Sequence, residues 1–122
     1  MTYKQNNIFK EDMDMTPKDI FSKNLPEALT KKGDDVTKVN AIYQFDITGD
    51  TGGKWWVDAT KSGGDVGEGD NEGAKCTITM TDSDFVDMVT GKLNGQMAFM
   101  TGKLKVKGDM SLAMKLGSIL GM

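Results

Sequence analysis

Apolar and polar residues alternate along several short segments of the chain, which is the spacing of half-buried β-strands. The clearest segments are 41–48, 54–60 and 75–80, and a weaker one spans 65–68. Glycine-rich turns separate them. A later segment, 103–107, alternates lysines with apolar residues. This pattern predicts a mostly antiparallel sheet with one face exposed to solvent.

Before these strands, the apolar residues follow the spacing of a helix. Thr16 suits the N-cap of a helix and Pro17 suits its first position. Apolar residues then recur at helical spacing as far as Gly33, which suits a helix end. Pro26 cannot donate a backbone hydrogen bond, so we expect a kink or two short helices, the second capped by Asn24.

Further helical turns are expected after Gly33 and after the strand at 75–80. Residues 34–39 have room for one turn, and the capping residues Thr81, Asn94 and Asp109 each begin a later helix. The last helix is expected to reach about Ile119. Helices segregated from a mostly antiparallel sheet place the chain in the α+β class, with helices covering one sheet face.

The chain has 122 residues, which is enough for one domain that buries roughly 65% of its unfolded surface. The polar residues 1–15 predict a flexible N-terminal arm, and 16–122 predict a single domain. No apolar run approaches the ~20 residues of a membrane span, and the N-terminus lacks the pattern of a signal peptide. We therefore expect a soluble protein.

The composition lacks several residue types that enzymes commonly use. The chain has no His and no Arg, so it lacks the usual general base, the commonest metal ligand and the bidentate fork that holds phosphates. Cys76 alternates within a strand, which favours a small buried apolar residue over a nucleophile. The glycine-rich stretch 63–70 fits neither a dinucleotide loop nor a calcium loop and is explained by turns. We predict no catalytic residue, no metal and no cofactor.

Charge is unevenly distributed. The net charge is −3, which argues against nucleic acid as a partner. Residues 1–91 carry 10 Lys and 17 acids, giving −7, whereas 92–122 carry 5 Lys and 1 acid, giving +4. The basic end is also apolar, which suits transient contact with an anionic membrane surface. The alternative is that Lys103, Lys105 and Lys107 form the solvent face of a strand.

Six of the ten methionines lie from position 88 onward. Methionine is flexible and polarizable and packs around irregular shapes, whereas a tight core favours Leu, Ile and Val. This bias predicts an apolar cavity that holds a long apolar ligand, with an ordinary core as the alternative. Trp55 and Trp56 point to opposite sides of one strand, so one is expected in the core and the other at the surface.

Five stretches carry a resemblance to a known family. They are Ala41–Phe45, Gly52–Asp58, Cys76–Phe85, Met88–Asn94 and Met97–Leu116. Through them the chain resembles the sterol carrier protein-2 (SCP-2) domain family over about residues 39–116. The resemblance implies a five-stranded sheet covered on one face by helices, with an apolar ligand tunnel between them. It also implies a domain without enzymatic activity that binds and transfers lipids such as fatty acids, fatty acyl-CoA, sterols or phospholipids. We separately expect a monomer.

Carried over residue by residue, the family's tunnel would be lined by apolar side chains. These are Ile20, Phe21, Leu25, Phe85, Met88, Val89, Leu93, Met97, Phe99, Met100, Leu104, Val106, Met110 and Met114. Many members end in a peroxisomal tripeptide, whereas this chain ends Leu120-Gly121-Met122, which argues against import by that signal. The expected location is cytoplasmic or peroxisomal. The alternative function is a partner-binding module whose cavity is filled by a terminal segment of its own or another chain.

Overall fold

The computed structural model describes residues 15–115 of the chain. Within this range the strands are β1 (Ile42–Thr48), β2 (Gly53–Asp58), β3 (Asp65–Glu68), β4 (Cys76–Thr81) and β5 (Lys105–Gly108). They form a five-stranded sheet in the order β3-β2-β1-β4-β5. The central pair, β1 and β4, is parallel, and the other three pairs are antiparallel. The predicted mostly antiparallel sheet is confirmed, with a parallel pair at its centre.

The helical elements of the same range flank the strands in sequence. They are α1 (Pro17–Asp19), a π-helical segment (Ile20–Asn24), α2 (Leu25–Lys32), a 3₁₀ segment (Gly33–Lys38), α3 (Asp82–Val89), α4 (Gly95–Met100) and α5 (Met110–Met114). The predicted arm 1–15 lies outside the described residues except for Met15, which is partly buried against the core.

The start of α1 agrees with the sequence prediction. Thr16 and Asp19 form a reciprocal capping box, in which the Thr16 hydroxyl accepts from the Asp19 N–H and the Asp19 carboxylate accepts from the Thr16 N–H. Pro17 occupies the first turn. These contacts satisfy backbone donors that would otherwise lack partners at the helix start.

Pro26 changes the helix without breaking it. It has no N–H, and its ring crowds the carbonyl one turn before it. The chain widens into the π-helical segment, where the Leu25 N–H donates to the Ile20 carbonyl five residues back. The expected cap at Asn24 is wrong, because this residue already has helical backbone angles and its side chain makes no capping bond.

The later caps form as expected. Thr81 accepts from the Asp84 N–H, the Asn94 side chain accepts from two N–H groups of α4, and Asp109 accepts from the Ser111 N–H. Some predicted strand bounds are wrong. Strand β5 begins at Lys105, although 103 was expected, and β2 ends at Asp58, although 60 was expected. Helix α5 is described as far as Met114, and its predicted end near Ile119 lies outside the described residues.

The two faces of the sheet differ as the alternation predicts. Tyr43, Phe45 and Ile78 point inward and are fully buried beneath the helices. On the outer face Lys105 lies opposite Thr79, and Lys107 lies opposite Thr77. Residues directly opposite in an antiparallel pair share a face, so these two lysines lie with Thr77 and Thr79 on the solvent-exposed face.

Aromatic stacking joins the N-terminal helix to the sheet. The Phe21 ring stacks on Trp55 with centroids 4.8 Å apart and on Phe85 with centroids 5.1 Å apart. It also packs against Phe45 at 5.2 Å. Trp55 is buried, whereas Trp56 is partly exposed on the outer face, which confirms the expected division of the two tryptophans.

Candidate functional site

The structure divides the fourteen predicted tunnel residues into three groups by exposure. Six are buried within the hydrophobic core: Ile20, Phe21, Leu25, Phe85, Met88 and Leu104. Three are partly buried and pack against that core: Val89, Leu93 and Val106. The remaining five are exposed. The structure therefore joins the first two groups in one core and places the third at the surface.

The exposed group consists of Met97, Phe99, Met100, Met110 and Met114, which we call the apolar surface. Their relative exposures are 56%, 44%, 78%, 48% and 82%. Among residues 15–115 these are the large apolar side chains that remain exposed. All of them belong to the two short helices α4 and α5. Exposed apolar patches on a folded domain often mark binding sites.

Helix α4 is held to the core through a single small residue. Ala98 is fully buried, and its carbonyl accepts from the N–H groups of Lys103 and Leu104 at 2.8 and 3.0 Å. Leu104 is itself buried. Because Ala98 faces inward, its neighbours Met97 and Phe99 are directed away from the core.

Helix α5 is tied to the sheet by a buried hydrogen bond. The Tyr43 hydroxyl of β1 donates to the Leu112 carbonyl at 2.5 Å. Burial, more than the nearby Cys76 thiol and Asp109 carboxylate, raises the pKa of Tyr43 well above its usual value. The hydroxyl therefore stays protonated and remains a donor at ordinary pH. Sequence reasoning placed Tyr43 in the core but missed this contact.

Cys76 lies beside Tyr43 in the parallel strand pair and is buried, as predicted. Burial, together with the Asp109 carboxylate, raises the pKa of the Cys76 thiol to about 11. A thiol with such a pKa is mostly protonated near neutral pH and is a poor nucleophile. This geometry agrees with the interpretation of Cys76 as a packing residue.

Three open depressions on the described surface lie elsewhere. Their volumes are about 410, 370 and 320 Å³, and none of the fourteen predicted residues lines them. The first is bordered by Lys18, Thr51, Lys54 and Glu68, among others. The assignment of the fourteen residues to a tunnel therefore stays a prediction.

Comparison with known proteins assigns the fold to a family. A family model, the SCP-2 sterol transfer family, matches residues 22–121 of the chain. The chain belongs to this family. Human sterol carrier protein 2 is 39% identical over 121 residues, which cover 96% of this SCP-2 chain and 20% of the human protein. The apo structure of sterol carrier protein 2 from Yarrowia lipolytica is 36% identical, with a TM-score of 0.70, and the match covers 83% of this chain and 86% of that one.

Human hydroxysteroid dehydrogenase-like protein 2 is 48% identical over 89 residues, 71% of this SCP-2 chain and 21% of that protein. The match is confined to its SCP2 domain. The chain thus spans about a fifth of the length of these curated relatives.

Family membership confirms the resemblance found in the sequence and assigns lipid binding or transfer in general. An apolar tunnel is general to the fold. The helices found within residues 15–115 are all too short or too polar to cross a bilayer.

Proposed function

We propose that this SCP-2 domain is a non-enzymatic carrier that binds one long-chain lipid and releases it at a membrane. The ligand classes are fatty acids, fatty acyl-CoA, sterols or phospholipids. The observation that carries the proposal is the apolar surface, because all exposed large apolar side chains of residues 15–115 lie on α4 and α5. The proposed site consists of the fourteen predicted residues, with the buried and partly buried groups as its floor and the apolar surface as its outer wall.

Apolar burial alone supplies enough free energy for such a ligand. Each buried methylene contributes about 0.8 kcal/mol, so a sixteen-carbon chain gains on the order of 10 kcal/mol before the entropic costs of binding. A micromolar Kd corresponds to about 8 kcal/mol. The flexible methionines of the wall suit several chain shapes, because their side chains re-pack at little cost.

The described titratable groups near this site favour a carrier over a catalyst. The Cys76 thiol is buried and protonated, and the Tyr43 hydroxyl is occupied by the Leu112 carbonyl. The whole chain has no His to act as a general base. We propose that the domain works as a monomer in the cytoplasm or in peroxisomes.

A titration of the full chain with a fluorescent fatty acid tests the proposal. We expect saturable binding in the micromolar range, and no saturation up to high micromolar ligand would refute the carrier. Met100→Asp and Phe99→Asp should each lower the affinity at least tenfold, because an ionised carboxylate cannot be covered by an acyl chain. Gln96→Asp is the matched control, since it adds the same charge at an exposed position of the same helix.

The circular dichroism of each variant must match that of the wild type. Unchanged affinity in folded Met100→Asp and Phe99→Asp variants would place the ligand elsewhere. If lipid binds only after deletion of residues 1–14, a cavity filled by the chain's own terminal segment replaces the proposal. Native mass spectrometry of the freshly purified full chain would detect a co-purified lipid.

A further inference from the structure

Methionine side chains differ sharply in their exposure to solvent. The structure describes seven of the ten methionines. Four of these, which we call the exposed methionines, have exposures between 48% and 82%: Met97, Met100, Met110 and Met114. By contrast, Met80 is 3% exposed and Met88 is fully buried, and Met15 is partly buried against the core. A small oxidant in water therefore meets the thioethers of the first group and is kept from those of Met80 and Met88.

The cysteine thiol does not compete for such an oxidant. Peroxides react with the thiolate form of cysteine, so an exposed thiolate would protect nearby methionines by reacting first. Cys76 is the only cysteine in the full sequence, and it is buried. Burial raises the pKa of its thiol to about 11, so little thiolate forms near neutral pH. The sulfur that an oxidant meets on the described surface is therefore methionine sulfur.

The contacts that hold α4 and α5 in place contain no thioether. Helix α4 is attached to the core through the buried Ala98, and α5 is attached through the hydrogen bond from Tyr43 to the Leu112 carbonyl. A sulfoxide in the core would disrupt packing, but Met80 and Met88 are shielded. Oxidation of the exposed methionines therefore changes the chemistry of the apolar surface without breaking these attachments.

We infer that the four exposed methionines are sites of reversible oxidation and that their sulfoxides lower the affinity for lipid, an inference that rests on the proposed carrier function. The oxidant is hydrogen peroxide. The sulfur forms a bond to one peroxide oxygen and loses two electrons, the O–O bond breaks, and the other oxygen leaves as water. A methionine sulfoxide reductase reverses the change with a dithiol, which becomes a disulfide as the sulfoxide oxygen leaves as water.

Each sulfoxide replaces an apolar group with a hydrogen-bond acceptor. An acyl chain has no donor for that acceptor, so a lipid that covers it leaves it without a partner. The loss corresponds to a Kd about fivefold higher for each covered sulfoxide. Leucine would fill nearly the same volume without a sulfur atom. The use of methionine at these positions is therefore what makes the outer wall of the site sensitive to peroxide.

Peptide mapping by mass spectrometry tests the assignment of the oxidation sites. The lipid-free full chain is treated with hydrogen peroxide at neutral pH, and sulfoxide is quantified over time at each described methionine. We expect the exposed methionines to react at least about tenfold faster than Met80 and Met88. In the urea-unfolded chain the same rates should agree within about threefold, because burial is lost. Equal rates in the folded chain would overturn the inference.

Titration with a fluorescent fatty acid tests the consequence for binding. A chain oxidised at the exposed methionines should have a Kd at least about fivefold higher than the untreated chain. Treatment with sulfoxide reductase should restore the original Kd. The circular dichroism and the urea midpoint of the oxidised chain should match those of the untreated chain, since the attachments of α4 and α5 remain. An unchanged Kd after complete conversion would refute the inference.

Leucine variants assign the effect to particular residues. The test variant combines Met97→Leu, Met100→Leu, Met110→Leu and Met114→Leu, and the matched control is Met80→Leu at a buried position. Each variant is compared with its own untreated sample, so a change in its starting affinity does not enter. The ratio of Kd after and before peroxide should stay within about twofold of one in the test variant and should equal the wild-type ratio in the control. A test variant as sensitive as the wild type would contradict the assignment.

The carrier proposal fails separately. Faster oxidation of the exposed methionines in a chain that shows no saturable fatty acid binding before treatment would overturn the carrier and leave the oxidation sites in place. Saturable binding before treatment, together with a Kd that oxidation leaves unchanged, would overturn the redox inference and leave the carrier intact.

Discussion

The hydrogen bond between Tyr43 and α5 can be removed without disturbing the packing around it. Tyr43→Phe deletes one oxygen from a fully buried ring and leaves the volume of the core nearly unchanged. The Leu112 carbonyl loses its side-chain donor but still accepts from the Lys115 N–H at 3.1 Å. An orphaned buried acceptor costs about 1 to 3 kcal/mol, whereas an acceptor that keeps one partner loses only the net value of one bond. We therefore expect Tyr43→Phe to lower the free energy of unfolding by about 1 kcal/mol.

Urea unfolding measures this difference directly, because the slope of the unfolding free energy against urea should not change. Amide hydrogen exchange in α5 should accelerate more than exchange in β1. The lost bond is one of the attachments of α5 to the sheet, whereas β1 keeps its hydrogen bonds to β2 and β4. A loss below about 0.3 kcal/mol would show that the bond adds nothing beyond solvation. A loss above about 3 kcal/mol would show that core packing had changed as well.

The pH dependence of the same pair gives an independent check. Burial raises the pKa of Tyr43 above the unfolded value of about 10, so its neutral form is the one that the fold stabilises. That contribution is fully present below about pH 10 and is lost as the pH rises further. The Cys76 thiol is present in both proteins, and its ionised form raises the pKa of Tyr43 further, in the same direction as burial. The stability advantage of the wild type over Tyr43→Phe should shrink above about pH 10, and a constant advantage would refute the reasoning.

Three other outcomes follow from single residues. Burial raises the pKa of Cys76 to about 11, so a thiol reagent at about pH 8 should label the native chain far more slowly than the urea-unfolded chain. The Asp82 carboxylate accepts from the Thr51 hydroxyl at 2.7 Å, and this bond holds the pKa of Asp82 below its usual value. In urea unfolding, the wild type should therefore be more stable than Asp82→Asn above about pH 4, and this difference should vanish as the pH falls further. Gly108 and Gly91 both have positive φ, but a Cβ at Gly108 would meet the carbonyl oxygen of the residue before β4, so in thermal unfolding Gly108→Ala should cost about 2 kcal/mol or more and Gly91→Ala about 1 kcal/mol.

Local patterns predicted the elements well, because each depends on residues close together in the chain. Alternation in β1 identified Tyr43 and Phe45 as inward-facing, and the side chains of Thr16 and Asn94 marked two helix starts. The π-helical segment was not predicted. The missing N–H of Pro26 indicates a disturbance, but the packing of the neighbouring turns decides whether the helix breaks or widens.

Local sequence patterns predicted less of the candidate site. Apolar residues fill most of α4, so helical spacing alone could not show that Ala98 faces the core while Met97 and Met100 face outward. The contact between Tyr43 and Leu112 joins residues 69 positions apart and exists only because β1 and α5 meet in the fold. A deeply buried tyrosine still requires a hydrogen-bond partner, and that rule was the available signal.

The parallel pairing of β1 with β4 has a consequence for how the chain folds. Strand β1 meets β2 across a short turn, whereas it meets β4 only after the chain has passed through β2 and β3. Closing that longer loop costs chain entropy before any contact compensates for it. The β1–β2–β3 meander is therefore expected to assemble first, and docking of β4 beside β1 to set the folding rate. Until that step is complete, one edge of β1 is open to strands of other chains, which makes the half-assembled sheet the state most prone to aggregation.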